Sequence, residues 1–207
     1  MMQTTHPAFL FLVLLVAIPS WSADPPSGGR AYIPVGKART KQTVLAIPGI
    51  QAGYSEAERF ELPRNLAETI QNDLRFMDAF RILDPAAFVE DTRAAGITTG
   101  TFKFTDWSSI ATDFLVKSKV SVENGAIAFE THVYDIAGAR EVFAKRYVGA
   151  VRDAKYVAHS FANDLVYALT GSSGVFLTKI AMACEVRRGS KELYIMDFDG
   201  TNVKQVT

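Results

Sequence analysis

One cysteine stands in 207 residues, Cys184, so no disulfide forms within the chain. It closes the apolar run Ile180-Ala181-Met182-Ala183-Cys184, a setting that predicts a buried, inert thiol rather than a nucleophile. Histidine is nearly as scarce. Beyond His6 there are only His132 and His159, 27 residues apart, on a predicted strand and a predicted helix. Neither has a partner at zinc-site spacing, and each reads as a solvated or edge histidine. Charge of one sign is also lacking: 22 basic residues face 22 acidic ones. With no net field, nothing draws the chain to nucleic acid or to an anionic membrane surface. No apolar run approaches the roughly 20 residues of a bilayer-spanning helix.

Catalytic signatures are missing as well. No serine is followed three residues later by lysine, and no G-x-S-x-G elbow occurs; Gly171-Ser172-Ser173-Gly174 is one residue too short and reads as a linker. Gly36-Lys37 lacks the upstream glycine of a phosphate loop. Asp197-Phe198-Asp199-Gly200-Thr201-Asn202 has asparagine where a calcium loop requires its sixth-position glycine, and a hairpin turn accounts for it better. The expectation is a non-enzymatic chain with no cofactor and no metal.

What is present begins with a leader. Ala8 to Ile18 is eleven apolar residues, broken by Pro19, and Ser20-Trp21-Ser22 supplies small residues for a signal peptidase. Residues 1–23 are therefore predicted to be a signal peptide cut after Ser22 or Ala23, although the segment before the apolar run carries no Lys or Arg. No cysteine lies near that cleavage point to carry a lipid, so the mature protein is expected to be soluble in an exported compartment. Residues 24–42 read as an extended tail: the Pro- and Gly-rich Asp24 to Gly29, the apolar patch Arg30-Ala31-Tyr32-Ile33-Pro34-Val35, and the alternating Lys37, Arg39 and Lys41, which read as a solvated strand edge.

Order is expected from Thr43. Thr43 to Pro48 is a strand closed by Pro48-Gly49. Ser55 and Glu58 fit a capping box, and Leu62, Leu66, Ile70 and Leu74 form one helical stripe with Pro63 near its start. Ala79 to Leu83 is a second strand, completing a β-α-β unit. Pro85 to Phe88 is a single turn, and Asp106 caps another short turn. Phe114–Val122, Ile127–Asp135 and Glu141–Val148 form an antiparallel meander turned by Asn124-Gly125 and Ala137-Gly138. Asp153 caps a second helix carrying Val157, Phe161, Leu165 and Leu169 on one face, which ends at Gly171. The predicted class is α/β (α+β): a five-stranded mixed sheet over residues 43–171 with two amphipathic helices on one face. Residues 172–207 follow as strands Phe176–Val186, Glu192–Phe198 and Asn202–Val206, a hairpin unit marginal on its own.

These segments resemble a known family. Leu177 to Thr207 is similar to the opening strands of TolB-type β-propellers, with the segment ELYIMDFDGTNVKQVT and its D-x-D-G turn. RAYIPV, TVLAIPGI, NLAETIQNDLRF, FRILDPAAF, ATDFLVKSKV and HSFANDLVYALTG follow the order and spacing of the TolB amino-terminal domain, so the likeness covers Arg30 to Thr207. It implies an exported component of the Tol-Pal envelope system, active in outer-membrane integrity, cell division and toxin import. It also implies that residues 24–35 contact the C-terminal domain of TolA, with Arg30, Tyr32, Ile33 and Val35 the best-matched positions. The family's Pal contact belongs to a six-bladed propeller, of which this chain holds only an incomplete first blade, so Pal is not expected as a partner. Pro34 removes one amide from any strand the tail adds to a partner sheet. The alternatives are a tail folded back on its own domain, a truncated relative of propeller-containing serine peptidases, and a periplasmic ligand-binding domain.

Overall fold

Six strands assemble on five lanes because one lane is broken by a proline. The structure, a computed structural model, describes residues 41–53, 57, 60–91 and 94–207. Strand β1 (Thr43–Ala46) and strand β2 (Gln51–Gly53) both pair in parallel with β4 (Phe114–Glu123): Leu45 lies opposite Phe114, and Gln51 opposite Lys119. Pro48 lacks an amide, so the ladder lapses between them and resumes beyond Gly49. The sequence predicted a strand ending at Pro48-Gly49; it resumes as β2, and the sheet has six strands rather than five.

Helix α1 (Leu62–Phe76) follows, then β3 (Phe80–Ile82), which pairs in parallel with β1 and completes the expected β-α-β unit. Proline stands at the start of α1, where a missing amide costs least. Leu62, Leu66, Ile70 and Leu74 are all buried, as their four-residue spacing requires. Ser55, Glu56 and Glu58 of the expected capping box lie outside the described residues, as do the leader, the tail to residue 40, and Arg30, Tyr32, Ile33 and Val35.

A 3-10 turn, Pro85–Ala87, is capped by the Asp84 carboxylate, which accepts from the Ala86 amide at 2.8 Å. Helix α2 (Phe104–Ser108) starts earlier than expected: Lys103 holds the cap position and Asp106 lies in the first turn, where its charge suits the helix dipole. The meander is as read, with β4, β5 (Ala126–Asp135) and β6 (Arg140–Ala150) antiparallel, giving the order β3-β1-β4-β5-β6. Asn124 and Gly125 both take positive φ (52° and 76°), the tight hairpin geometry this pair favours.

Helix α3 (Ala154–Thr170) begins after a 3-10 turn at Val151–Asp153 and ends on Gly171, whose φ of 75° lets its amide bond back to Tyr167 O at 2.8 Å. Asp153 occupies the cap position without a side-chain capping bond. Both long helices cover one face: Leu45, Val116, Val120, Ile127, Phe129 and Val133 meet Leu66, Ile70, Phe161 and Leu165 there. The opposite face carries a smaller core of Val44, Ala46, Leu115 and Tyr134 beneath Phe102 and Trp107.

The chain then forms a separate three-stranded sheet, β7 (Lys179–Arg187), β8 (Ser190–Asp197) and β9 (Lys204–Gln205), in that order. Phe176 precedes β7 instead of starting it; it is 2 % exposed and packs in the main core, which delays the strand by three residues. Direct cross-strand pairs put Ile180, Met182, Tyr194 and Met196 on one face and Ala181, Ala183, Leu193 and Ile195 on the other. Both faces are therefore apolar at their centres, and Leu193, Val203 and Val206 remain exposed. Among the described residues, no helix is long and apolar enough to cross a membrane.

Candidate functional site

Each buried helical stripe is interrupted by one ionisable group. Asp73 follows Ile70 by three residues on α1, and His159 precedes Ala162 by three on α3; both face inward and are almost inaccessible, at 3 % and 7 % exposed. Side by side they satisfy each other, with His159 Nδ1 and Asp73 Oδ2 2.7 Å apart. The second ring nitrogen faces the turn after β8, with Nε2 3.6 Å from Asp199 Oδ2. Lys155, one helical turn before His159, holds the same Asp199 oxygen at 2.5 Å. His159 is thus a buried polar centre joining α1, α3 and the terminal sheet, and the expectation of a solvated or edge histidine is corrected. Its place on the stripe with Ala162 and Val166 was the available signal.

The electrostatics follow from that geometry. Burial works against the imidazolium, but the hydrogen bond and charge of Asp73, followed by Asp199, outweigh it and raise the His159 pKa above its ordinary value. Burial would push the Asp199 carboxyl up. Lys155 and the hydrogen bonds from Thr201 hold it well below the usual carboxylate range instead. Beside it, Asn202 and Lys179 lower the pKa of Asp197. An aromatic clamp completes the join: Phe198 meets Phe76 at 4.9 Å and Phe176 at 5.5 Å, both edge-on. A cleft of about 320 Å³ opens next to His159, between the start of α3 and the terminal sheet.

A second polar cluster lies on the opposite face of the main sheet. Lys117 Nζ donates to Glu90 Oε1 and to Gly96 O, and sits 4.8 Å from the centre of the Phe102 ring. Trp107 Nε1 donates to the other Glu90 oxygen at 2.8 Å. The Lys117 and Glu90 side chains are 3 % and 6 % exposed, so this pair anchors the segment before β4 to the sheet. Nearby, His132 sits on the interior strand β5, stacked on Tyr134 and bridging Glu130 and Glu141 at 3.2 and 2.8 Å. Its side chain is only 12 % exposed, so it too is no edge histidine. Burial raises the Tyr134 hydroxyl pKa to about 12.

The remaining candidates are simpler. Cys184 is half-buried on β7 rather than fully buried. Asp197 to Asn202 form the expected turn, with Gly200 at a φ of 79°. Of the basic tail residues only Lys41 is described, exposed and 4.0 Å from Asp113. No group of three or more His, Cys, Asp or Glu side chains that could hold a metal occurs among the described residues. What the described constellation does chemically is hold elements together by buried charge.

Comparison with known proteins places this geometry. Residues 31–142 match the family model of the TolB amino-terminal domain. The chain is 37% identical over 177 residues to the Tol-Pal system protein TolB of Geobacter metallireducens, spanning 85% of this chain and 40% of that protein. It is 34% identical over 151 residues to the protein of the same name from Geobacter sulfurreducens, covering 73% of this chain and 34% of that protein. The crystal structure of TolB from Acinetobacter baumannii shares the fold, with a TM-score of 0.66 at 17% identity over 81% of this chain and 39% of that one. The chain spans between a third and two fifths of the length of these relatives.

Proposed function

This chain belongs to the TolB family through its amino-terminal domain, and from that premise we propose that it is a periplasmic, non-enzymatic interaction component of the Tol-Pal system. It grips the C-terminal domain of TolA through residues 24–35, with Arg30, Tyr32, Ile33 and Val35 making the contact. The observation that carries this reading is where the family match begins. It starts at residue 31, inside the tail, so Tyr32, Ile33 and Val35 belong to the matched domain and not to a preceding linker. An extended segment with alternating apolar groups suits addition to a partner's sheet edge, where backbone bonds give affinity and side-chain pockets give specificity. Pro34 requires that its own position face away from the partner strand.

The exported location rests on the apolar leader before residue 24, and the roles in envelope integrity, cell division and toxin import rest on the family resemblance. The test is a calorimetric titration of the TolA C-terminal domain into the chain lacking residues 1–23 and into a variant lacking residues 1–35. Binding by the first and none by the second is expected. Equal affinity in both would discard the tail as the site, and no binding by either would discard TolA as the partner.

A further inference from the structure

Asp73, His159 and Asp199 come from three different elements, and the histidine stands between two carboxylates. An ionised carboxylate only accepts hydrogen bonds, and a neutral imidazole carries a single N–H. With an acidic oxygen facing each ring nitrogen, only the imidazolium serves both. We propose that His159 is a pH-sensitive latch for the terminal sheet: protonated, it bridges Asp73 on α1 and Asp199 on the β8–β9 turn, and loss of its proton loosens that turn from α3.

The surrounding groups set how far the latch opens. From α1 the ring faces Asp73; from α3 itself, Lys155 and Tyr156; from the turn before α3, Arg152 and Asp153. From the terminal sheet come Lys179 on β7, Asp197 at the end of β8, and Asp199. Lys179 is taken by Asp197, and Lys155 binds Asp199 directly. When His159 loses one proton, the shorter Nδ1 contact to Asp73 keeps the remaining N–H. The longer contact to Asp199 is the one surrendered, and Lys155 is left holding the turn alone. The Phe76–Phe198–Phe176 clamp survives, so the sheet loosens at its turn without leaving the domain. Asp73 and Asp199 raise the imidazole above its ordinary value against the effect of burial, so the bridge is complete in mildly acidic solution, where both carboxylates are still ionised, and fades as pH rises through that raised value.

The test is NMR on the full chain, following the His159 ring carbons and amide exchange together across pH 5 to 9, with exchange corrected for its intrinsic base catalysis. The reporting amides are Asp197, bonded to Thr201 O, and Phe198, bonded to Thr178 O; the central β4–β5 ladder is the reference. Protection at the turn is expected to fall about tenfold for each unit by which docking raises the imidazole pKa, with the midpoint of the His159 titration and no change in the reference strands. Asp199→Asn and His159→Gln should each abolish this pH dependence. If His159→Gln fails to fold, Asp199→Asn, placed on the turn, decides alone. A His159 titration that leaves turn protection unchanged, or an Asp199→Asn chain with the same drop at the same midpoint, would overturn the latch.

Discussion

Removing the carboxylate of Glu90 strands an ammonium group inside the protein. In Glu90→Ala, Lys117 keeps the Gly96 carbonyl at 3.1 Å and the faces of Phe102 and Trp107, and Trp107 Nε1 loses its acceptor. Breaking a buried pair from one side costs about 3–5 kcal/mol, since the surviving charge is left buried without a counter-charge. For a chain of this size each kcal/mol lowers Tm by about 2–4 °C, so a fall of roughly 6–20 °C is expected. Glu90→Gln/Lys117→Met removes both charges while keeping the bulk, and should be milder than Glu90→Ala despite carrying two changes. Urea unfolding followed by Trp107 fluorescence measures both variants, because Trp107 is the only tryptophan outside the leader and touches Glu90 itself. A double-mutant cycle on Glu90→Gln and Lys117→Met should show a coupling of at least about 1 kcal/mol. Strict additivity, or a Glu90→Ala cost below about 1 kcal/mol, would refute the claim that this pair fastens the pre-β4 segment to the sheet.

Ile70→Ala should destabilise by about 2–5 kcal/mol in the same urea assay, as Ile70 is 1 % exposed in the main core. Gly125→Ala should cost about 1 kcal/mol from backbone strain alone, because φ is +76° and an added Cβ meets nothing within 4 Å. A loss no larger than that of an exposed alanine substitution elsewhere in the meander would remove the hairpin argument. Asp199 has a depressed pKa when folded, so its contribution is present above the ordinary 3.8 and is lost as pH falls below it toward the folded value. Acid should therefore release the terminal-sheet turn before the meander, seen as loss of the Thr201 amide's protection, and Asp199→Asn should remove that early step.

The sheet and its helices were legible because their signals are local. The four-residue steps from Leu62 to Leu74, the Asn124-Gly125 pair and the Gly171 stop each encode their element within a few residues, and each lies where it was read. Strand β2 escaped because Pro48-Gly49 is a turn signal by composition. What made it an interruption was the unbroken β4 alongside, which supplies partners on both sides of the gap. Phe176 misled in the opposite way: an aromatic beside Leu177 looks like strand, but the main core claims it. The Asp106 cap failed by only three residues, since Lys103 adopts the extended backbone a cap position requires.

The charged sites were illegible for a different reason. Asp73 and His159 are separated by 86 residues, and Lys117 and Glu90 by 27. An isolated histidine on a helix gives no sign of which distant carboxylate it will meet, so by itself it reads as a solvated group. The usable clue was joint. Asp73 shares a stripe with Ile70, and His159 shares one with Ala162 and Val166, so both helices point one ionisable group at the interior. A single buried charge is prohibitively costly, whereas two opposite ones on helices packed against the same sheet face can cancel. Two such interruptions on neighbouring amphipathic helices therefore imply each other. That clue does not extend to Asp199, which lies on a turn and in no stripe at all. Nothing local distinguished it from an ordinary turn residue, and only its arrival beside His159 and Lys155 gives it a role.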